Sequence, residues 1–255
     1  MSGKTSIHWT NDTWNPVTGC TRVSAGCDHC YAFAQHDMRH VAWKRGRFPT
    51  APAQYHLPFS RVQLLEDRLY GKDSPLRWRK PRRVFVNSMS DLFHDAVPDS
   101  YLAQVFAVMQ HAERHTFQVL TKRPERMARL CRDLLPLLPN VWLGTSVEHQ
   151  AAADERIPLL LQTPAVVRFL SCEPLLTAVD LSAYLTTDGM HRLDWIIVGG
   201  ESGPHHRPMQ LDWARSIREQ CHAAGVAFFF KQSSGAKPGM GRELDGRLWE
   251  DYPAC

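Results

Sequence analysis

From residue 84 onward the chain alternates between short apolar runs and helix-like stretches. The runs are 84–87 (VFVN), 117–120 (FQVL), 141–144 (VWLG), 166–170 (VVRFL), 195–199 (WIIVG) and 226–230 (VAFFF). Their length and their β-branched or aromatic content suit strands buried on both faces. Between them, 98–113, 123–135, 150–162 and 210–224 read as helices. Strand then helix, repeated about six times, marks a parallel sheet with covering helices. The pattern predicts an α/β fold, a full or partial (β/α) barrel of about six to seven parallel strands. An open doubly wound sheet is the other arrangement it allows. Ahead of this region, Ser6-Ile7-His8-Trp9 reads as extended, 30–45 and 61–70 as helical, and the proline-rich 46–60 as irregular. No internal repeat or low-complexity linker divides the chain, so a single domain is expected over residues 1–255.

Each run ends in polar residues: Asn87-Ser88-Met89-Ser90-Asp91, Thr121-Lys122-Arg123, Thr145-Ser146-Val147-Glu148, Ser171-Cys172-Glu173-Pro174, Gly199-Gly200-Glu201-Ser202-Gly203 and Lys231-Gln232-Ser233. In parallel α/β folds the carboxyl ends of the strands share one face, and sites are built there. A Ser or Thr ahead of a Glu is often only a helix cap, the reading that suits Ser171 and Ser202 best. Six polar endings in register exceed what capping requires, and we read them as one site.

A loop ahead of the interior strands reaches the same face. The stretch from Trp14 to Tyr31 carries three of the seven cysteines, spaced Cys20-x6-Cys27-x2-Cys30, with Pro16, Gly19 and Gly26 as turn formers. The odd count, and an N-terminus without the apolar core of a signal peptide, favour metal binding over a disulfide scaffold. A disulfide uses two thiols and a closed zinc site four ligands, whereas three thiolates on a cubane cluster leave one iron open to a small ligand. A zinc site completed by His29, His36 or His40 is the alternative. Cys131, Cys221 and Cys255 read as small buried apolar residues, and Cys172 stands out only by its place beside Glu173. No run of about eighteen apolar residues occurs, so no spanning helix is expected and the chain reads as cytoplasmic.

The cysteine triplet, the polar strand ends and the Gly199-Gly200-Glu201 turn together resemble the radical SAM superfamily. More closely, the phrases Trp14-Asn15-Pro16-Val17-Thr18-Gly19-Cys20, Asn87-Ser88-Met89-Ser90-Asp91-Leu92-Phe93, Leu120-Thr121-Lys122-Arg123-Pro124 and Val198-Gly199-Gly200-Glu201-Ser202-Gly203 are similar to a family of phage-associated three-cysteine proteins. By general plan the chain is also similar to spore photoproduct lyase, a radical SAM enzyme of DNA repair. It departs from the superfamily in its first gap, six residues where three are usual, and in His29 at a position that is often aromatic. The resemblance implies that Cys20, Cys27 and Cys30 hold three irons of a [4Fe–4S] cluster. The open iron would chelate S-adenosylmethionine, and reduction by an electron donor would release a 5′-deoxyadenosyl radical. On that plan Lys122 pairs with the methionyl carboxylate and Glu148 or Glu173 accepts ribose hydroxyls. Ser88, Asp91, Ser146, Gly199 and Gly200 complete the cofactor site. Cys172, Glu173 and Glu201 are the catalytic candidates.

The substrate is read from charge. Arg77-Trp78-Arg79-Lys80-Pro81-Arg82-Arg83 places five basic residues in seven, and Lys44-Arg45-Gly46-Arg47 and Lys122-Arg123-Pro124-Glu125-Arg126 add to them. With a net charge of +4, an anionic partner is permitted. The run suits a phosphate footprint in which Trp78 stacks on a base, or else a solvated loop ahead of the first interior strand. These features support two functions. One is an iron–sulfur, S-adenosylmethionine-dependent radical enzyme that repairs or modifies nucleic acid, DNA before RNA. The other is a non-catalytic nucleic-acid-binding protein with a structural zinc or iron–sulfur site. Six furnished strand ends favour the enzyme, because a binding module has no use for them.

Overall fold

Each apolar run becomes a parallel strand in a computed structural model of the chain, which describes residues 3–185 and 192–254. In chain order the strands are β1 (Gly3–Lys4), β2 (Asp12–Trp14), β3 (Val17–Thr18), β4 (Gln63–Leu64), β5 (Arg83–Val86), β6 (Thr116–Thr121), β7 (Val141–Ser146), β8 (Val167–Cys172), β9 (Trp195–Gly199) and β10 (Ala227–Gln232). A terminal hairpin adds β11 (Glu243–Leu244) and β12 (Arg247–Leu248). The helices are α1 (Tyr31–Lys44), α2 (Asp67–Tyr70), α3 (Asp99–His111), α4 (Pro124–Asp133), α5 (Gln150–Leu161) and α6 (Leu211–Ala224).

The main sheet has eight strands in the order β1-β2-β5-β6-β7-β8-β9-β10. Seven run parallel, and β1 joins antiparallel at the edge of β2. The count exceeds the expected six to seven strands through that antiparallel addition. Because strand order follows chain order, right-handed crossovers put the helices on one side and curl the sheet into a half-barrel. Among the described residues no helix covers the crossover from β8 to β9. The backbone of residues 249–251 lies along the outer edge of β10, where Phe230 N donates to Trp249 O and Asp251 N to Phe228 O. That covers an edge otherwise open to pairing with another chain.

Side-chain alternation sorts the strands into two cores. Val84, Val86, Val119, Leu143, Leu170, Ile196, Val198, Phe228 and Phe230 face the helices. Phe85, Trp142, Phe169, Trp195, Ile197 and Phe229 fill the concave face with Trp9. Trp195 is the centre of this second layer, its ring 5.7 Å from Phe169, 5.9 Å from Trp142 and 6.1 Å from both Trp9 and Phe229. Edge-on and tilted contacts of this kind add to the stabilisation from the area such rings bury.

Two local expectations change. Residues 6–9 are not a strand: Trp9 leaves the sheet to plug the concave face, 4.7 Å from Phe85, and the first parallel strand is Asp12–Trp14. Residues 61–70 are helical only over Asp67–Tyr70, because Gln63–Leu64 pairs antiparallel with Val17–Thr18 at the root of the cysteine loop. Leu65 N then donates to Pro16 O. That pairing claims the backbone groups a longer helix would have used.

Candidate functional site

The cysteine loop rises from β2 and lies across the carboxyl ends of the parallel strands. Its entry is fixed by Gly19, at φ +90, where a Cβ would stand 2.4 Å from the carbonyl oxygen of Arg61. Only glycine fits such a position. A single 3₁₀ turn, Ala25–Cys27, comes next, and Cys30 is the N-cap residue of α1. Cys20, Cys27 and Cys30 are unpaired, each partly exposed, and all three line one cavity of about 790 Å³. That volume lies within the range of small-molecule and cofactor sites. Its other walls are strand ends, the segment 3–9 and the first turns of α1.

Three strand-end carboxylates hold this loop in place. After β5, Asp91 accepts from Thr121 Oγ1 at 2.7 Å and from the Arg123 guanidinium at 2.9 Å. Arg123 reaches on to Thr21 Oγ1 at 3.0 Å and lies 3.9 Å from Cys20 Sγ. After β7, Glu148 is fully buried and bonded to Lys122 Nζ, to Arg156 at 3.0 Å and to Ser24 Oγ at 2.7 Å. Burial alone would raise the Glu148 carboxyl, but the two cations outweigh it and hold it below its ordinary value. The loop packs so closely here that a Cβ on Gly26 would be 2.5 Å from Glu148 Cγ. After β9, Glu201 accepts from His29 Nδ1 at 2.8 Å and is gripped by Arg207 at 2.6 and 3.0 Å. Arg207 also donates to the carbonyl of Ala25 at 2.9 Å. Burial opposes ionisation of Glu201, yet the Arg207 and His29 hydrogen bonds bring its carboxyl down to about 2. Each cysteine thus sits beside a segment tied to a different strand.

Glu173 differs from these three. Its carboxylate pairs with Lys231 Nζ at 2.7 Å and accepts from Ser171 Oγ at 3.0 Å. All three of these residues line the cavity.

The family described as Protein of unknown function (DUF5131) matches residues 4–253. The chain belongs to that family. No curated protein and no solved structure matches it. The family description names no activity, so function rests on the site.

Several expected site residues are turned elsewhere. Cys172 points to the helix side, fully buried in the main core, and burial, with Cys221 and Glu173 adding, pushes its thiol far up; it does not reach the cavity. Lys122 lines the cavity, but its ammonium is already taken by Glu148, which itself lies behind the loop. Gly199 and Gly200 serve close packing: a Cβ on Gly199 would be 2.9 Å from Glu173 Oε1, and one on Gly200 2.3 Å from Ser234 N. Ser88, Asp91, Ser146, Gly200, Glu173 and Glu201 do line the cavity. His36 and His40 bond the carbonyls of Leu57 and Tyr55 at 2.9 Å each, away from the thiols. Among the described residues no group of three His, Cys, Asp or Glu side chains is placed to hold a metal ion. Cys255 lies outside the described residues.

The basic run is at the other end of the sheet. Arg83 opens β5 at its amino end, with its guanidinium 3.9 Å from the Tyr252 ring. Arg82 pairs with Asp12 at 3.1 Å and covers the Trp78 ring at 4.8 Å. The His115 ring meets Trp78 edge-on at 5.7 Å, so Trp78 is occupied by protein contacts. Arg77, Arg79 and Lys80 are exposed, and no residue of this run lines the cavity. Sequence reading missed Arg156 and Arg207. The available signal was an arginine eight residues after Glu148 and six after Glu201.

Proposed function

We propose that the chain is an iron–sulfur enzyme that uses S-adenosylmethionine and acts on nucleic acid. The observation that carries this reading is three free thiols on one anchored loop above a cavity at the strand carboxyl ends. The donor set fits a cluster. A closed zinc site needs a fourth ligand, and His29, His36 and His40 are engaged by Glu201 and by the carbonyls of Leu57 and Tyr55. A cubane instead takes each thiolate on a separate iron. When bound and reduced, the cluster would supply the electron that cleaves S-adenosylmethionine to a hydrogen-abstracting radical.

The chain's own residues do the rest. Burial, with Asp91 adding, pushes the Cys20 thiol up to about 11 against the pull of Arg123, so ligation at neutral pH releases its proton. Arg123 then stands ready to offset the thiolate charge. Ser146 and Gly200, on the cavity wall, are among the strand-end groups that would meet a cofactor, whereas the Ser88 hydroxyl is bonded to Asn15 Oδ1 at 3.1 Å. The same reading requires an electron-donor partner. Arg77, Arg79 and Lys80 lie away from the cavity, so any contact they made with nucleic acid would be unconnected to chemistry there.

The test is anaerobic purification with iron, sulfide and zinc analysis. About four irons per chain are expected. Cys20→Ala, Cys27→Ala or Cys30→Ala should abolish the cluster, while Cys131→Ala and Cys221→Ala retain it. Stoichiometric zinc without iron or sulfide would overturn the proposal.

A further inference from the structure

Among the strand-end carboxylates that line the cavity or back it, Asp91, Glu148 and Glu201 are spent on the cysteine loop. The side-chain partners of Glu173 are instead Lys231 on β10 and Ser171 on β8. The Lys231 and Glu173 side chains are 22% and 14% exposed, and both residues line the cavity. Alternation puts Ser171, two residues beyond Phe169 on β8, on the side of the aromatic layer, and the register shift of β10 between Phe230 and Gln232 brings both Lys231 and Gln232 to the cavity wall. A third wall is the segment that carries His8 and Trp9. Trp9 is 2% exposed, and its Nε1 and the Nδ1 of His8 are buried without a hydrogen-bond partner. Both residues line the same cavity. Buried polar nitrogens left unpaired in a native fold call for an explanation, and a ligand is one.

We infer that Glu173 and Lys231 form a nucleobase subsite, reading a ring edge with a carbonyl oxygen beside an N–H, as in uracil, thymine or guanine. It rests on the nucleic-acid part of the function proposed above. Lys231 donates to the carbonyl and Glu173 accepts from the ring N–H, so the heterocycle opens the ion pair and bridges it with charge-assisted bonds on both sides. Trp9 and Phe85, packed on each other at 4.7 Å, make the cavity wall apolar beside the pair, a setting that strengthens its charge-assisted bonds. Cytosine offers donor and acceptor in exchanged order, so it meets the two side chains only with its ring turned over and its sugar redirected.

The experiment is titration of the whole chain with uridine, 3-methyluridine and cytidine, monitored by tryptophan fluorescence and calorimetry. It is run on metal-free and cluster-loaded protein, with iron counted separately. Saturable binding of uridine is expected. Methylation of its ring N–H should weaken binding about tenfold or more, as should the exchange to cytidine. Glu173→Gln should reduce the preference for uridine over 3-methyluridine, while Lys231→Met, which removes the donor to the carbonyl, should weaken binding of both. Their circular dichroism and unfolding midpoints show whether the fold is retained, and the nucleoside comparison on the wild-type chain decides the matter even if a variant does not fold. Absence of uridine binding at millimolar concentration, or equal binding of all three nucleosides, would overturn the inference. Either result with four irons still bound leaves the cluster reading standing. Loss of iron with uridine binding intact does the reverse.

Discussion

Glu201 shows how much one side chain does at this site. Its carboxylate meets His29 and Arg207, and through Arg207 it holds the carbonyl of Ala25. The folded carboxyl lies at about 2 against an ordinary 4.5, a depressed value. Its contribution to stability is therefore complete above pH 4.5 and is lost as pH falls toward 2. Glu201→Gln removes the charge at every pH. The expected outcome is a gap in unfolding free energy between wild type and Glu201→Gln that is constant near neutrality and closes between about pH 4.5 and 2. A gap independent of pH across that interval would show that the ionised carboxylate is not what holds the loop. Sequence alone placed Glu201 at a strand end but did not specify its partners. Arg207 comes six residues later in an irregular segment, where no helical or strand period links the two.

At the scale of elements, the cysteine loop and the strand ends form one unit. The alternation of strands and helices was legible because strands buried on both faces must be apolar along their whole length. The boundaries of β5 to β10 accordingly fall close to the apolar runs, within one or two residues at each end. The strand ends were legible as polar but not as partners of the loop, since periodicity says nothing about which charge meets which. Residues 61–70 misled for a related reason: their spacing is helical, yet Gln63–Leu64 is drawn into pairing with the root of the loop. Two substitutions separate the loop from its support. Glu148→Gln leaves Arg156 and Lys122 without their shared carboxylate, and breaking a buried pair of this kind costs about 3–5 kcal/mol, read by denaturant unfolding. Gly26→Ala leaves those charges paired but puts a Cβ 2.5 Å from Glu148 Cγ, so the loop must lift. The expected signature is near-wild-type secondary structure with faster alkylation of Cys27. Unchanged thiol reactivity would mean that the loop tolerates the methyl group without moving.

The molecule as a whole has two candidate rims, and they lie at opposite ends of the sheet. Cysteines, cavity and the Glu173–Lys231 pair are at the carboxyl end, while Arg77, Arg79 and Lys80 precede β5 at the amino end. Strands of four to six residues separate the rims by roughly 13–20 Å. Among the described residues no helix is long and apolar enough to cross a membrane. Lys4, Arg39 and the cysteine loop line the cavity, so they are the groups beside a nucleic acid whose base enters it. Such a nucleic acid has no need to reach the amino-end rim. We therefore expect replacement of Arg77, Arg79 and Lys80 by Gln to leave the dependence of single-strand affinity on salt unchanged. Arg39→Gln, by contrast, should shallow the slope of log affinity against log salt by about 0.7, the value for one phosphate contact on a single strand. Arg82 and Arg83 are kept out of the triple variant because they pair with Asp12 and cover Tyr252, and their loss would disturb packing. The opposite result, a slope shallower by about 2 for the triple variant and unchanged for Arg39→Gln, would put nucleic acid on the amino-end rim. Binding would then be remote from the cavity, and the cysteine site would be serving some other substrate.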